Sequence, residues 1–292
     1  MNEATFEGVG GIKIFTRSWS PTDETPRAIV VMVHGFNSHS GYYTWAGEQF
    51  AAHGLAAYAL DWPGRGQSEG ERFYLDSLAD VVADVDTLVT KAQQQHPGLP
   101  LFLLGHSAGG VTACIYTLEH QSKLAGLICE SFAFELPAPE FALAVLKGLS
   151  HVAPHLHTIK LKNEDFSRDP AVVAAMNSDP LIADEAQPSS TAAELARADD
   201  RLRREFPQIT LPLLILHGTA DKATKPSGSQ HFYDQAGASD KTLKLYEGHY
   251  HDLLNDLDRE VVMHDIQEWI DARVPAADAI GVETEQAYSV SA

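Results

Sequence analysis

The clearest candidate for chemistry is the sequence G-H-S-A-G at residues 105–109, which has the form G-x-S-x-G. Four apolar residues precede it at 101–104, and a stretch of helical character, 111–119, follows it. In this strand–turn–helix context G-x-S-x-G forms a nucleophile elbow, because glycine permits the tight reversal. The turn would lift the hydroxyl of Ser107 to the carboxyl edge of a sheet, beside the positive end of the helix dipole. We therefore predict that Ser107 is a nucleophile.

A serine hydroxyl is a weak nucleophile until a base removes its proton, so a histidine and an acid that orients it must lie nearby. Two predicted strands late in the chain end in suitable residues, at 217–221 (H-G-T-A-D) and 247–252 (E-G-H-Y-H-D). Since ligands of an open parallel sheet bind at the carboxyl ends of its strands, both stretches should reach the serine's edge. We predict that Asp221 is the orienting carboxylate, with Glu130, at the end of another strand, as the alternative.

The base and the oxyanion donors are the remaining parts of such a site. From the residues alone, His249 and His251 compete as the base that takes the serine proton and returns it to the leaving alcohol. Ala108, which follows the nucleophile, supplies one oxyanion N–H, and Phe36, which follows an apolar strand ending in H-G, is the natural second donor. Three histidines beside these motifs are expected to serve packing or turn hydrogen bonds: His34, His106 and His217.

Alternating strand and helix patterns must position these residues. An alternating strand is predicted at 12–19, and strands buried on both faces are predicted at 28–33, 55–60, 101–104 and 124–129. Helical patterns lie between the buried strands, at 45–53, 77–95 and 111–119. This order predicts an α/β fold, with a mostly parallel central sheet and helices on both faces.

The pattern changes after Ser131. Residues 132–202 contain helical pieces broken by prolines and no convincing strand, and strand–helix alternation then resumes to residue 272. We predict a core of residues 1–131 and 203–274, an inserted helical cap at 132–202, and a poorly ordered tail at 275–292.

The composition narrows the classes of function. The 292-residue chain carries 40 acidic and 21 basic residues, a formal charge of −19, which opposes binding to nucleic acid or to anionic lipid. It has no apolar run of about 18 residues and no basic, apolar leader, so we expect a cytoplasmic protein without a membrane span. Cys114 and Cys129 lie in apolar segments and provide neither a disulfide framework nor a metal spacing. We predict no metal and no cofactor.

Beyond the pentapeptide, several stretches resemble the monoacylglycerol lipases of the α/β-hydrolase family. They are G-Q-S-E-G-E-R at 66–72, P-G-L-P at 97–100, N-S-D-P-L at 177–181, T-L-K at 242–244 and Y-E-G at 246–248. The resemblance spans roughly residues 10–272 and implies the α/β-hydrolase fold with an inserted helical cap. It places the family's acid on Asp221, its base on His251 rather than His249, and its oxyanion donors on Phe36 and Ala108.

The chain departs from the family at two motif positions. Ala108 follows the nucleophile where methionine is frequent, but only its backbone N–H is needed. Arg65 stands between two loop glycines where histidine is frequent.

The predicted cap contains an apolar stripe at helical spacing, formed by Phe141, Ala142, Val145, Leu146, Leu149 and Val152. We expect this face to pack on the core or to line the acyl site. The candidate substrate contacts are Phe141, Val145, Leu146 and Leu149. The alternative is a lid that touches lipid aggregates transiently.

The resemblance implies a serine carboxylester hydrolase that cleaves monoacylglycerols or similar single-chain acyl esters through an acyl-enzyme. Lysophospholipase, acyltransferase and general short- or medium-chain esterase activities use the same triad and remain alternatives. A ligand-binding protein on a hydrolase fold is the non-enzymatic alternative, and the presence of all three triad residues argues against it. Dehalogenases and epoxide hydrolases carry an aspartate nucleophile at the elbow, so Ser107 argues against them.

Overall fold

The computed structural model describes residues 1–22, 24–134 and 140–274. The strands are β1 (Asn2–Glu7), β2 (Lys13–Trp19), β3 (Ala28–Val33), β4 (Leu55–Leu60), β5 (Leu101–His106), β6 (Gly126–Glu130), β7 (His157–Ile159), β8 (Gln187–Pro188), β9 (Leu213–Gly218) and β10 (Lys241–Tyr246). The α-helices are α1 (Thr44–Ala52), α2 (Leu78–Gln95), α3 (Ala108–His120), α4 (Glu140–Val152), α5 (Pro170–Ser178), α6 (Ser189–Glu205), α7 (Pro226–Gln235) and α8 (Arg259–Asp271). In these described ranges, no helix combines the length and the apolar character that a bilayer crossing requires.

The centre of the molecule is an eight-stranded sheet in the order β1-β2-β4-β3-β5-β6-β9-β10. From β4 to β10 all neighbouring strands are parallel, whereas β2 runs antiparallel to both β1 and β4. The carboxyl ends of β5, β9 and β10 therefore lie on one edge of the sheet. The prediction of a mostly parallel sheet is confirmed.

β3 shows why the central strands are apolar throughout. All six of its residues are buried. Ile29, Val31 and Val33 belong to the hydrophobic cluster that contains the apolar residues of α2 and α3. Val30 and Met32 belong to a second cluster, which contains the apolar residues of α1 and α8. Because helices cover both faces, each residue of the strand must be apolar.

The sequence pattern does not predict the edge strand β1. Phe6 is its one buried residue, and the others are exposed. Since β1 pairs with β2 along one side and carries no second neighbour, it needs no alternating apolar pattern. Its backbone pairing with β2, rather than its composition, makes it a strand.

Between β6 and β9 the chain leaves the sheet and forms the helical insertion, which we define as residues 140–205. It contains α4, α5, α6 and a small antiparallel pair, β7 and β8. The expectation of no strand in residues 132–202 is therefore wrong. These strands are three and two residues long, which is too short to show an alternating pattern.

α6 connects the insertion to the core. Its Leu195 belongs to the same hydrophobic cluster as α2 and α3. One turn earlier in the same helix, Ala192 packs against Leu146 of α4. The helix runs without a break from 189 to 205, so it crosses the position 202/203 at which the sequence places a domain boundary.

Two glycines allow α3 to approach the sheet closely enough to form the elbow. A Cβ on Gly105 would lie 2.4 Å from the carbonyl oxygen of Gly109. A Cβ on Gly109 would lie 2.1 Å from the carbonyl oxygen of Val33 and 2.5 Å from that of His34. The obstacles are backbone atoms, so they cannot swing aside as a side chain could.

We predict that Gly109→Ala lowers the free energy of unfolding by about 1–3 kcal/mol or more. The added methyl group would overpack the rigid contact between α3 and the sheet. The matched control is Gly148→Ala in α4, where a Cβ meets no atom within 4 Å. There alanine should stabilise its helix by up to about 1 kcal/mol. Denaturant unfolding of the wild type and both variants measures the difference. A Gly109→Ala variant as stable as the wild type would contradict this account of the elbow.

Candidate active site

Ser107 lies at the junction of β5 and α3. Its φ of 56° and ψ of −121° lie outside the regions that non-glycine residues favour. Two backbone hydrogen bonds hold the strained residue. Its N–H donates to the carbonyl of Glu130 at 2.9 Å, and its carbonyl accepts the N–H of Ala133 at 3.2 Å. The serine is therefore fixed at the carboxyl edge of the sheet.

Asp221 follows β9, His251 follows β10, and their side chains meet at the same edge. His251 Nδ1 lies 2.7 Å from Asp221 Oδ2, and neither side chain is exposed. The N–H groups of Ala223 and Thr224 donate to Asp221 Oδ1 at 2.7 and 3.0 Å. Burial alone would raise the pKa of Asp221, but its contacts with His251 and His217 outweigh burial and hold that pKa well below its usual range. The carboxylate is therefore ionised at neutral pH.

The rival candidates lie elsewhere. His249 Nδ1 is 4.0 Å from Asp256 Oδ2, a different acid from the one that His251 contacts. Glu130 accepts the N–H of Leu254 at 3.2 Å through Oε1. Its Oε2 has no hydrogen-bond partner among the described residues. The geometry thus joins Asp221 to His251 and leaves His249 and Glu130 outside that pair.

The backbone of Phe36 comes close to the elbow through Gly35. A Cβ on Gly35 would lie 2.8 Å from the Cβ of Ser107 and 3.1 Å from the nitrogen of Ala108. Ala108 is the first residue of α3, so its N–H has no acceptor within the helix. The two predicted donors of an oxyanion hole therefore flank the serine.

A narrow cavity of about 40 Å³ opens beside Ser107, and its surface is mostly apolar. It is lined by Phe36, Ser107, Ala108, Ala133, Ile159, Leu161, Ala192, Leu195, Ala223 and Thr224. Four of these residues, Ile159, Leu161, Ala192 and Leu195, belong to the helical insertion. Core and insertion therefore enclose the serine together.

Of the cap residues predicted to touch substrate, Val145, Leu146 and Leu149 are not among the described residues that line this cavity. Leu146 is buried against Ala192, which itself lines the cavity. Leu149 is half-buried, and Val145 is 65% exposed. The side chain of Phe141 lies outside the described part of the chain. Helical spacing identified the apolar face of α4, but it could not show that α6 and β7 stand between this face and the serine.

His34 and His217 have the structural contacts expected of them. His34 Nε2 accepts the N–H of Trp62 at 3.0 Å. Burial lowers the pKa of His34 to about 4, so the ring is neutral and can accept this bond. His217 lies 3.0 Å from Asp221 Oδ2 through Nε2 and 2.7 Å from the hydroxyl of Ser229 through Nδ1. It therefore helps to hold the catalytic candidate Asp221 in place.

A cluster of potential metal ligands lies behind the site. One donor atom from each of His106, Glu130 and Asp252 lies within 4.8 Å of the others, and all three residues are buried. Burial, reinforced by Asp252, raises the pKa of Glu130 well above its usual range, and burial raises the pKa of Asp252 to about 6. The raised pKa of Glu130 favours its neutral form, which lowers the negative charge that this buried cluster holds. The backbone carbonyl of His251 lies 3.4 Å from His106 Nε2, so the cluster lies next to the main chain of His251.

Thr224 is a site residue that the sequence analysis missed. Its hydroxyl donates to Asp221 Oδ2 at 2.8 Å, lies 3.3 Å from His251 Nδ1, and belongs to a residue that lines the cavity. The available signal was its spacing, since a threonine three residues after an aspartate can share that side chain's turn hydrogen bonds. The contact ties the acid, the histidine and the cavity wall together.

The chain is similar to known hydrolases in sequence and in fold. A sequence profile of the family described as serine aminopeptidase, S33 matches residues 24–258. The monoacylglycerol lipase of Mycolicibacterium smegmatis is 35% identical over 271 residues, which covers 92% of this chain and 96% of that protein. The monoglyceride lipase of Homo sapiens is 36% identical over 272 residues, which covers 91% and 89% respectively.

The crystal structure of the monoacylglycerol lipase of Paleococcus ferrophilus has the same fold, with a TM-score of 0.80 at 30% identity. The match covers 89% of this chain and 99% of that one. Because the profile and these relatives cover most of the sequence, the chain belongs to the serine aminopeptidase S33 family of α/β-hydrolases, and it is a serine hydrolase related to the monoacylglycerol lipases.

Proposed function

We propose that the protein is a carboxylester hydrolase that cleaves monoacylglycerols or similar single-chain acyl esters through an acyl-enzyme on Ser107. The observation that carries the proposal is the buried 2.7 Å contact between His251 and Asp221, at the sheet edge that also bears the strained serine. An ionised acid in contact with an imidazole orients the base for a serine nucleophile. The relatives named as monoacylglycerol and monoglyceride lipases supply the substrate class.

The first half of the reaction transfers the acyl group to the enzyme. Ser107 Oγ attacks the ester carbonyl carbon while its proton passes to His251 Nε2, an atom with no hydrogen-bond partner among the described residues. The carbonyl oxygen becomes an oxyanion and accepts hydrogen bonds from the N–H groups of Phe36 and Ala108. His251 then gives its proton to the leaving alcohol oxygen, and the C–O bond breaks. The Asp221 carboxylate stabilises the imidazolium throughout.

The second half releases the acid. Water gives a proton to His251 and its oxygen attacks the acyl carbon, so a second oxyanion forms in the same place. When this intermediate collapses, Ser107 Oγ leaves and regains its proton from His251. The products are a fatty acid and free enzyme. No metal and no cofactor is required by this sequence of steps.

The apolar wall supports an acyl chain as the group that lies beside Ser107. Ala133, Ile159 and Leu195 present hydrocarbon surface to that space. At about 40 Å³ the cavity has the volume of one or two water molecules in the liquid. A cavity of this size holds only the smallest acyl groups, so a longer chain requires its walls to move apart. The dependence of kcat/KM on acyl-chain length shows how far the walls can move apart.

We further infer that residues 132–202 act as a cap over the serine edge, which their contribution to the cavity lining supports. Val145, Val152 and Leu156 are 65%, 82% and 52% exposed on this segment. These apolar side chains support a transient contact between the cap and lipid aggregates. The formal charge of −19 opposes nucleic acid as a partner. A cytoplasmic location remains the sequence-based prediction.

We predict that the wild type hydrolyses p-nitrophenyl esters and monooleoylglycerol, and that Ser107→Ala abolishes both activities, because the nucleophile is lost. A series of p-nitrophenyl esters from acetate to palmitate gives kcat/KM against acyl length. Lysophosphatidylcholine and added alcohol acceptors test the lysophospholipase and acyltransferase alternatives. Turnover of short esters alone would identify a general esterase. A wild type as inert as Ser107→Ala would favour a ligand-binding protein.

A matched pair of histidine variants tests the identity of the base. We predict that His251→Asn lowers kcat/KM for p-nitrophenyl butyrate by at least about 10³-fold, because the imidazole that takes the serine proton is lost. His249→Asn removes a histidine two positions away and should leave kcat/KM within a few-fold of the wild type. The larger loss in His249→Asn would show that the base is assigned to the wrong residue.

A further inference from the structure

A fully buried ion pair joins the core to the helical insertion. Arg65, in the loop after β4, is 0% exposed, and its Nη1 donates to Oε1 of Glu185, which is 2% exposed. Nη2 of Arg65 donates to Gln187 Oε1 at 2.7 Å and to the carbonyl of Phe73 at 3.2 Å. Charges removed from water gain little net stability even when they are paired. The position of this pair beside the serine edge points to another role.

Glu185 holds the backbone next to the proposed oxyanion donor. Its Oε1, which receives Arg65, also accepts the N–H of Asn37 at 3.0 Å. Asn37 directly follows Phe36, so this hydrogen bond fixes the plane of the peptide between them. The insertion forms a second hydrogen bond with Asn37, in which Asn37 Nδ2 donates to Asn163 Oδ1 at 2.8 Å.

Arg65 holds the side chain of the same donor residue. Its guanidinium carbon lies 4.8 Å from the centre of the Phe36 ring, within the range of a cation–π contact. Phe36 lines the cavity beside Ser107. It is therefore held on its side chain by Arg65 and on its following peptide by Glu185. Because both constraints act on its Cα, together they fix the position of the Phe36 nitrogen, which carries the proposed donor N–H.

Three of the described non-glycine residues with positive φ lie next to this ion pair. Asn37, Phe73 and Asp184 have φ values of 49°, 63° and 58°. Asparagine and aspartate adopt this left-handed region readily, but a phenylalanine avoids it. Asn37 donates to Glu185, Phe73 accepts from Arg65, and Asp184 immediately precedes Glu185. Strained residues persist where surrounding contacts over-determine them, and they cluster at functional sites. The strained Phe73, whose carbonyl accepts from Arg65, indicates an enforced local geometry at this pair.

We infer that Glu185, with Arg65 as its counter-charge, is a positioning residue for the oxyanion hole. It acts from the insertion, through Asn37, on the direction of the Phe36 N–H. The inference rests on the proposed function, since the Phe36 N–H matters only for acyl transfer to Ser107. It follows that the oxyanion hole is complete only when the insertion is seated against the loop that carries Arg65.

Two double variants that differ at one position test this role. Arg65→Met with Glu185→Gln removes both charges but keeps an amide oxygen in the place of Oε1, where Asn37 donates. Arg65→Met with Glu185→Leu removes both charges and the acceptor. The replacement of both partners leaves no unpaired buried charge, so both proteins are expected to fold. Each is measured for thermal stability, for kcat and KM on p-nitrophenyl butyrate, and for inhibition by an alkyl trifluoromethyl ketone.

The leucine double variant should show a kcat about 10²-fold below that of the glutamine double variant, with a similar KM, because one oxyanion donor is misdirected. The trifluoromethyl ketone forms a tetrahedral adduct with an oxyanion, so its inhibition constant should rise by a similar factor. Butyrate, a product that carries no tetrahedral oxyanion, should inhibit both double variants equally. Arg72→Met breaks another contact between core and insertion, the hydrogen bond to the carbonyl of Leu181, and should keep wild-type kinetics.

Equal kcat values and equal ketone inhibition in the two folded double variants would overturn the inference and leave the ion pair a structural link. If the leucine double variant does not fold, Arg65→Met with Glu185→Ala takes its place, because it also removes both charges and the acceptor. Failure of the proposed function is separate, since it would leave the wild type itself without Ser107-dependent hydrolysis.

Discussion

The left-handed backbone of Ser107 is the constraint on which the site depends. A φ of 56° is costly for a serine, and it persists because α3 crosses the sheet too closely for any residue other than glycine at 105 and 109. The same closeness presses the turn at Gly35 against the elbow and brings the backbone of Phe36 beside the nucleophile. One packing contact thus places the serine at the cavity, leaves the first N–H of α3 without a helical acceptor and brings the second donor close.

Buried charge is the second organising feature, and the structure uses it at two places. Asp221 is kept ionised by His251 and His217 against the effect of burial, so it can stabilise a cation that forms next to it. Arg65 and Glu185 form an ion pair in similarly buried, low-dielectric surroundings, and Glu185 accepts the N–H of Asn37, the residue after Phe36. Each charge has a partner that fixes a direction, of an imidazole in one case and of a peptide plane in the other. Electrostatic preorganisation of this kind is a major source of enzymatic rate.

The features that the sequence predicts correctly are those that depend on neighbouring residues, such as buried strands and the elbow. The strands 28–33 and 55–60 have the predicted bounds because both of their faces are covered, and the elbow follows from two glycines around a serine. The resemblance to monoacylglycerol lipases resolves His249 against His251, which the residues alone leave open. Long-range arrangement is harder to predict. The exposed strand β1 has no apolar pattern, Leu146 of α4 packs against a cavity-lining residue rather than lining the cavity, and nothing local to Arg65 indicates a partner 120 positions away.

The central claim is that Ser107 is an activated nucleophile in a formed oxyanion hole, and its most direct test is covalent capture. Wild type and Ser107→Ala are treated with an alkyl fluorophosphonate, and intact mass and peptide mass spectra locate the adduct. The account predicts one phosphonyl group per wild-type chain, on the peptide that contains Ser107, and none on the variant. An unmodified wild type, or an adduct on another residue, would contradict it.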